Sequence, residues 1–175
     1  MKNTVACILA FLLISVRSVG QNTEGLRALE IRYGRTGTKG DLFTIVHERY
    51  FAEKLNLIVA GSAEFSRQRL INYRCYSIDA IAQYFSNIGF NTNGDFEVKG
   101  GVGLTASHQT EPNLYKGYSF FQRTNYGIVF NLAGEWAFTD DLSLTLNANQ
   151  RLYAKKVLGM FQYDFSLGLK WKIWN

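Results

Sequence analysis

From Phe161 to Ile173 every second residue is apolar: Phe161, Tyr163, Phe165, Leu167, Leu169, Trp171 and Ile173. Gln162, Asp164, Ser166, Gly168, Lys170 and Lys172 lie between them. Successive side chains of an extended chain point to opposite faces, so this spacing predicts a strand with one apolar and one polar face. The same division recurs upstream. Tyr126, Ile128, Phe130, Leu132, Trp136 and Phe138 alternate with Asn125, Gly127, Asn131 and Glu135. Leu142, Leu144, Leu146 and Ala148 alternate with Ser143, Thr145, Asn147 and Asn149. Phe96, Val98, Val102, Leu104 and Ala106 face away from Glu97, Lys99, Gly101, Gly103, Thr105 and Ser107. From residue 55 to 65 the apolar set is Leu55, Leu57, Val59, Ala63 and Phe65. Three weaker segments complete the pattern. Residues 26 to 34 carry Leu29, Ile31 and Tyr33 on one face, and 70 to 85 carry Tyr76, Ile78, Ala80 and Tyr84. Residues 41 to 50 read as extended without a clean phase.

Alternation alone suits a soluble sandwich, a lipocalin-like barrel or an outer-membrane barrel, since each buries one face of every strand. Length separates them. Strands of soluble proteins run to about 5 or 6 residues, whereas crossing a lipid-facing band ~25 Å tall at a steep tilt takes about ten, and several runs here reach that. A sheet edge cannot lie open in lipid, so such strands must close on themselves. The fold class expected is all-β: an eight-stranded antiparallel up-and-down β-barrel of outer-membrane type. Aromatic residues near strand ends, among them Tyr126, Trp136, Phe138, Trp171 and Trp174, suit interfacial girdles. The polar phases carry Glu64, Glu97 and Glu135 alongside Lys99, Arg151, Lys170 and Lys172, acids and bases able to pair inside. The connections near 52–54, 87–94 and 139–140 read as short turns at one end, and Gln109 to Arg123 as the longest loop, at the other.

The first twenty residues stand apart from this pattern. Lys2 precedes an apolar run from Val5 to Ile14, followed by small residues at Ser18 and Gly20. This is the layout of a secretory signal peptide cleaved before Gln21, and the run is too short for a transmembrane helix, which needs ~20 residues. The domains are therefore a signal peptide over 1–20 and a barrel over 21–175, with the outer membrane as the expected location. Losing Lys2 and Arg17 with the leader lowers the 19 basic residues to 17 against 14 acids, a net +3. That balance offers no basic block for direct nucleic-acid binding. The loss of Cys7 leaves Cys75 alone, so no intramolecular disulfide forms.

The chain end adds a specific signal. Ser166, Gly168, Trp171 and Ile173 occupy the four defining positions of the C-terminal assembly signal that outer-membrane barrels resemble one another in: a polar residue, a glycine, then aromatic or apolar residues three and five positions on. An eight-stranded bore is filled by its own side chains or holds one small ligand, so it passes neither DNA nor a folded protein.

Ala137-Phe138-Thr139-Asp140-Asp141-Leu142, Asn147-Ala148-Asn149-Gln150-Arg151-Leu152 and the terminal Phe165-Ser166-Leu167-Gly168-Leu169-Lys170 resemble blocks of the TraO family of conjugative-transposon proteins of Bacteroides and its relatives. Gly25-Leu26-Arg27-Ala28-Leu29 and Val98-Lys99-Gly100-Gly101-Val102-Gly103 match more loosely. The resemblance implies an outer-membrane structural component of a mating apparatus related to type IV secretion. It would act as anchor or assembly partner, with other conjugation proteins and outer-membrane lipid as partners and with no cofactor or enzymatic activity. The alternative is a stand-alone small barrel of adhesin or lipid-binding type. Tyr115, Tyr118, Phe120, Phe121 and Arg123 form the expected partner-contact loop, because aromatics with arginine favour interfaces; the other reading is an aromatic loop folded over the barrel mouth.

Enzymatic chemistry finds little support. Ser107 and His108 are adjacent, so an extended chain sends them to opposite faces. His47, His108 and Cys75 have no metal-ligand spacing. Gly100 to Gly103 lacks the Lys-Ser/Thr of a phosphate loop and reads as strand curvature, and Asp140-Asp141 as a turn.

Overall fold

The eight segments expected to be extended become eight strands, each antiparallel to its neighbours, and the last pairs with the first. The computed structural model describes residues 26–52, 54–68, 71–87, 96–111, 121–154 and 161–173. The strands are β1 (Arg27–Thr36), β2 (Asp41–Ala52), β3 (Leu55–Gln68), β4 (Ile71–Asn87), β5 (Phe96–Glu111), β6 (Phe121–Ala137), β7 (Leu142–Tyr153) and β8 (Phe161–Ile173). The expected signal peptide and Trp174 lie outside the described residues.

Register fixes the shape of the barrel. Stepping across hydrogen-bonded partners from Ala28 leads through Glu48, Ile58, Ile81, Gly103, Val129 and Arg151 to Gln162. The β8–β1 register sets Asp164 opposite Thr36; carried two residues on, it brings Gln162 level with Thr38, ten residues beyond the start. Ten residues at ~3.3 Å against eight strand spacings of ~4.8 Å give a tilt of about 40°. A strand of 12 residues such as β2 then rises about 30 Å along the barrel axis.

The wall is inverted relative to a soluble protein. Leu104 is 70% exposed, Ile78 65% and Trp171 65%, and Leu29, Ile31, Phe43, Ile45, Val59, Leu132, Leu146, Phe165, Leu167 and Leu169 also face outward. Glu30, Arg32, Glu48, Asp79, Lys99, Glu135, Arg151, Asp164 and Lys170 are buried inside. Each large apolar side chain left in water forgoes about 1.5–3 kcal/mol of burial, so a belt of this extent calls for an apolar medium around it. Tyr126, Trp136, Phe138 and Trp171 are all exposed on this wall, where the girdle reading placed them.

The 41–50 segment is a regular strand after all. Phe43, Ile45 and Phe51 face out while Leu42, Val46 and Tyr50 face in. Its phase was hidden because the lumen contains an apolar cluster of Val46, Ile58, Ala60, Ile81 and Val129. The loop expected from Gln109 to Arg123 is shorter than its sequence suggested. β5 continues to Glu111 and β6 begins at Phe121, with Arg123 paired to Gln109 and Phe121 to Glu111, so Phe121 and Arg123 belong to a strand. Tyr115, Tyr118 and Phe120 lie outside the described residues.

That shift removes the contrast in loop length between the two ends. The 112–120 link spans hardly more residues than 88–95 at the opposite end, and 37–40 and 69–70 are short although they share the end of 112–120. The end holding the start of β1 and the finish of β8 is called the terminal end below, and the other the far end.

Two glycines of β5 stand where β4 approaches closely. A Cβ on Gly103 would run into the β4 backbone at Ala80 O and meet Ile81 Cα at 2.6 Å, and one on Gly101 would meet Ala82 O at 2.8 Å, whereas Gly100 borders open space.

Candidate functional site

Among the described residues the enclosed polar environment is the lumen, and alternation along the strands dictates what enters it. At the terminal end Lys99 on β5 and Lys170 on β8 meet Glu48 on β2 and Glu135 on β6. Lys99 Nζ lies 2.7 Å from Glu135, 3.2 Å from Glu48 and 3.5 Å from Glu97. Lys170 Nζ lies 2.5 Å from Glu48 and 2.7 Å from Glu135, and Lys172 adds a contact to Glu135 at 3.2 Å. Lys99 also donates to Tyr50 Oη at 2.8 Å and sits against the rings of Tyr50 and Phe85. Those rings meet edge to face at a centroid distance of 5.8 Å. All four principal charges are at most 2% exposed, so water does not reach them and the bore is closed at this level.

Above this floor Glu30 and Arg32, two residues apart on one face of β1, form a bidentate pair at 2.7 and 2.8 Å. Thr145 Oγ1 donates to Glu30 Oε1, the oxygen that also accepts from Arg32 Nε. Gly168 makes the space: a Cβ there would collide with Glu30 Oε1 and Thr145 Oγ1 and come within 2.9 Å of Arg32 Cγ.

Side-chain amides continue upward. Asn56 donates to Glu48 and to Gln83 Oε1, and Gln83 donates to Asn131 Oδ1. Asn131 donates to Asn149 Oδ1 at 2.6 Å, and Asn149 to Asp164 Oδ1 at 2.9 Å. Arg151 on β7 then pairs with Asp164 on β8 and, through Nη2 at 2.6 Å, with Asp79 on β4. A continuous ladder of polar contacts thus joins the floor to the far half.

Beyond Arg151 the packing opens into a cavity of about 150 Å³ lined by Thr36, Thr38, Glu64, Cys75, Arg151 and Tyr153 among others. That is room for about five waters at ~30 Å³ each. Glu64 accepts hydrogen bonds from Thr36 and Thr38, and no Lys or Arg among the described residues lies within 4 Å of it. The pairing expected for Lys99, Arg151, Lys170, Lys172, Glu97 and Glu135 is observed, whereas for Glu64 hydroxyl groups take the place of a base.

The four residues of the C-terminal signal divide by face. Ser166 and Gly168 are buried in the lumen; Trp171 and Ile173 are exposed on the wall. Ser107 is buried inside, and neighbouring His108 points the other way, 3.2 Å from Thr124 Oγ1, so the two do not meet. Cys75 is a buried lumenal residue of β4. Thr139 Oγ1 accepts from Leu142 N at 3.0 Å and Asp141 O from Lys172 N at 2.7 Å, which makes the Asp140-Asp141 segment an ordered turn.

The sequence matches no protein-family model and no curated protein. Solved structures do match. Neisserial surface protein A aligns with a TM-score of 0.67 at 18% identity, covering 85% of this chain and 96% of that one. The outer membrane protein OprG of Pseudomonas aeruginosa aligns with a TM-score of 0.63 at 9% identity, covering 89% and 99%. Ail, the attachment invasion locus protein of Yersinia pestis, gives 0.58 at 13% identity over 86% and 99%. At these identities the likeness is one of fold: this chain has the closed eight-stranded architecture of small outer-membrane barrels.

Proposed function

We propose that this protein is a stand-alone outer-membrane barrel of adhesin type that binds anionic ligands at its far rim. The observation carrying this reading is the charge of the connections. The links 37–40, 69–70, 112–120 and 154–160 contain Lys39, Arg69, Lys116, Lys155 and Lys156 and no acid. The links 53–54, 88–95 and 138–141, at the terminal end, contain Glu53, Asp95, Asp140 and Asp141 against Lys54 alone. Links of one sign attract partners of the other and accelerate their encounter. The closed floor supports a binding role over transport, because a sealed bore conducts nothing between compartments.

The apolar belt and the alternating wall support residence in the outer membrane. Ail, one of the proteins this barrel resembles, has been solved with the heparin analogue sucrose octasulfate, and sulfated or phosphorylated sugars are the ligand class proposed for this rim. Cells displaying the protein should capture a fluorescent sulfated oligosaccharide above vector controls, with loss of capture when Lys39, Arg69, Lys116, Lys155 and Lys156 are changed to Gln. Capture equal to the control would refute the reading. Recovery of the processed chain in the soluble periplasm would refute the membrane location.

A second reading rests on the sequence resemblance to the TraO family. Its best block, Ala137 to Leu142, is the ordered β6–β7 turn at the terminal end, an exposed acidic turn suited to holding a periplasmic partner. Deleting the gene from a donor should then lower transposon transfer, and unchanged transfer would remove this reading.

A further inference from the structure

The β1–β2 hairpin carries two cross-strand charge pairs on the outer wall, one at each end. At the far end Arg35 faces Asp41, and they form an ion pair at 3.6 Å. At the terminal end Arg27 faces Arg49, both exposed. Directly opposite side chains on one sheet face hold their Cβ atoms about 5 Å apart, and like charges in that position repel. No carboxylate among the described residues lies within 4 Å of either arginine, and Glu48, the chain neighbour of Arg49, turns into the lumen to Lys99 and Lys170.

The surroundings specify what relieves the repulsion. The Arg49 guanidinium lies 5.2 Å above the Phe51 ring, which fixes its direction along the wall. Arg27 is paired with Ile173 of β8 and Leu29 with Trp171, so Arg27 stands diagonal to an exposed indole in the register at the end of the apolar wall, and Arg49 follows one strand further on. An aromatic girdle marks the level of lipid headgroups. Guanidinium is the side chain best matched to phosphate, donating two parallel N–H bonds.

On the premise that the barrel is membrane-embedded, we infer that Arg27 and Arg49 form a clamp for the phosphate of an anionic phospholipid in the leaflet at the terminal end. The lipid phosphate sits between the two cations, and its acyl chains run along the outward-facing Leu29, Ile31 and Ile45.

The test uses the full mature chain extracted in a zwitterionic detergent, with bound lipids counted by native mass spectrometry. Phosphatidylglycerol and phosphatidylcholine are offered in equal amounts. The wild-type chain should retain phosphatidylglycerol with roughly thirtyfold preference, the effect of two basic residues at a membrane surface. Arg27→Gln with Arg49→Gln should lose the preference and Arg35→Gln should keep it. Arg49→Glu gives Arg27 an acid partner in place. It should abolish the preference while raising the unfolding temperature in lipid-free micelles, so the inference stays testable even if the double variant does not fold. A wild-type chain without preference, or a double variant that retains it, overturns the clamp. Displacement of phosphatidylglycerol by millimolar inorganic phosphate would show a free anion to be the ligand and overturn the lipid assignment. Heat-modifiable migration on a gel is read in parallel. A chain that fails that assay and stays soluble without detergent defeats the membrane premise, whereas a folded, membrane-bound chain indifferent to lipid charge defeats the clamp alone.

Discussion

The two halves of the lumen both bury acids with bases and handle charge differently. At the terminal end Lys99, Lys170, Glu48 and Glu135 are interleaved so that each cation touches both carboxylates, with Tyr50 and Phe85 closing over them. In the far half Arg151 serves Asp79 and Asp164 alone, and Glu64 is held by hydroxyl groups beside a cavity of about 150 Å³. Dry charges must be matched one for one, because desolvation is recovered only when every partner is in place. Charges beside a water-sized space can leave part of their solvation to water. The floor is therefore built as a seal, and the far half as a chamber with tolerance.

The comparison fails if the floor tolerates loss of a charge. Lys99→Met should cost about 3–5 kcal/mol, the penalty for breaking a buried pair and leaving carboxylates unmatched. Urea unfolding in detergent micelles, followed by tryptophan fluorescence, gives the value, and a loss below 1 kcal/mol would mean that water enters the floor. A smaller effect is expected midway up the bore. Gly168→Val forces side-chain atoms onto Glu30 and Thr145, and the same unfolding assay should show a loss of about 1–3 kcal/mol. In the far half Asp79→Asn leaves Arg151 its contact with Asp164 and converts one charged hydrogen bond to a neutral one. About 1 kcal/mol should be lost, and the folded fraction on an unboiled gel should not change. The smallest effect belongs to Glu64→Gln, where the hydroxyl donors remain: a change within about 0.5 kcal/mol, whereas a loss like that of Lys99→Met would place a hidden cation at the mouth.

The strands could be read from the sequence wherever the lumenal phase is polar. Phe161 to Ile173 is unambiguous because all six interleaved residues are polar or glycine, and the outward set identified there matches the exposed set. Residues 41 to 50 were opaque because Leu42, Val46 and Tyr50 fill the bore, and alternation cannot distinguish an apolar residue facing in from one facing out. The ion pairs were legible as types only. Lys99 and Glu135 lie 36 positions apart on neighbouring strands, and Glu48 meets Lys170 across the intervening β1, 122 positions along the chain. Which acid meets which base depends on the ten-residue stagger, and no local pattern encodes it. Glu30 and Arg32 were missed as a pair, although two opposite charges two residues apart on a strand share a face and that spacing was in plain view. The limits of the 109–123 loop were misjudged because polar residues there continue the strands past the apolar belt, and backbone pairing does not require an apolar face.

The Asp79–Arg151–Asp164 group has a mechanical side. Its members come from β4, β7 and β8, and β4 stands across the bore from β8, so the ion pairs act as a strut over the full diameter. A hollow cylinder under uneven lateral load ovalises first across its unsupported width; one with an internal cross-brace keeps its round section. When the surrounding bilayer thins, thickens or is crowded, this protein should lean as a stiff rod and leave the spacing of its rim undistorted.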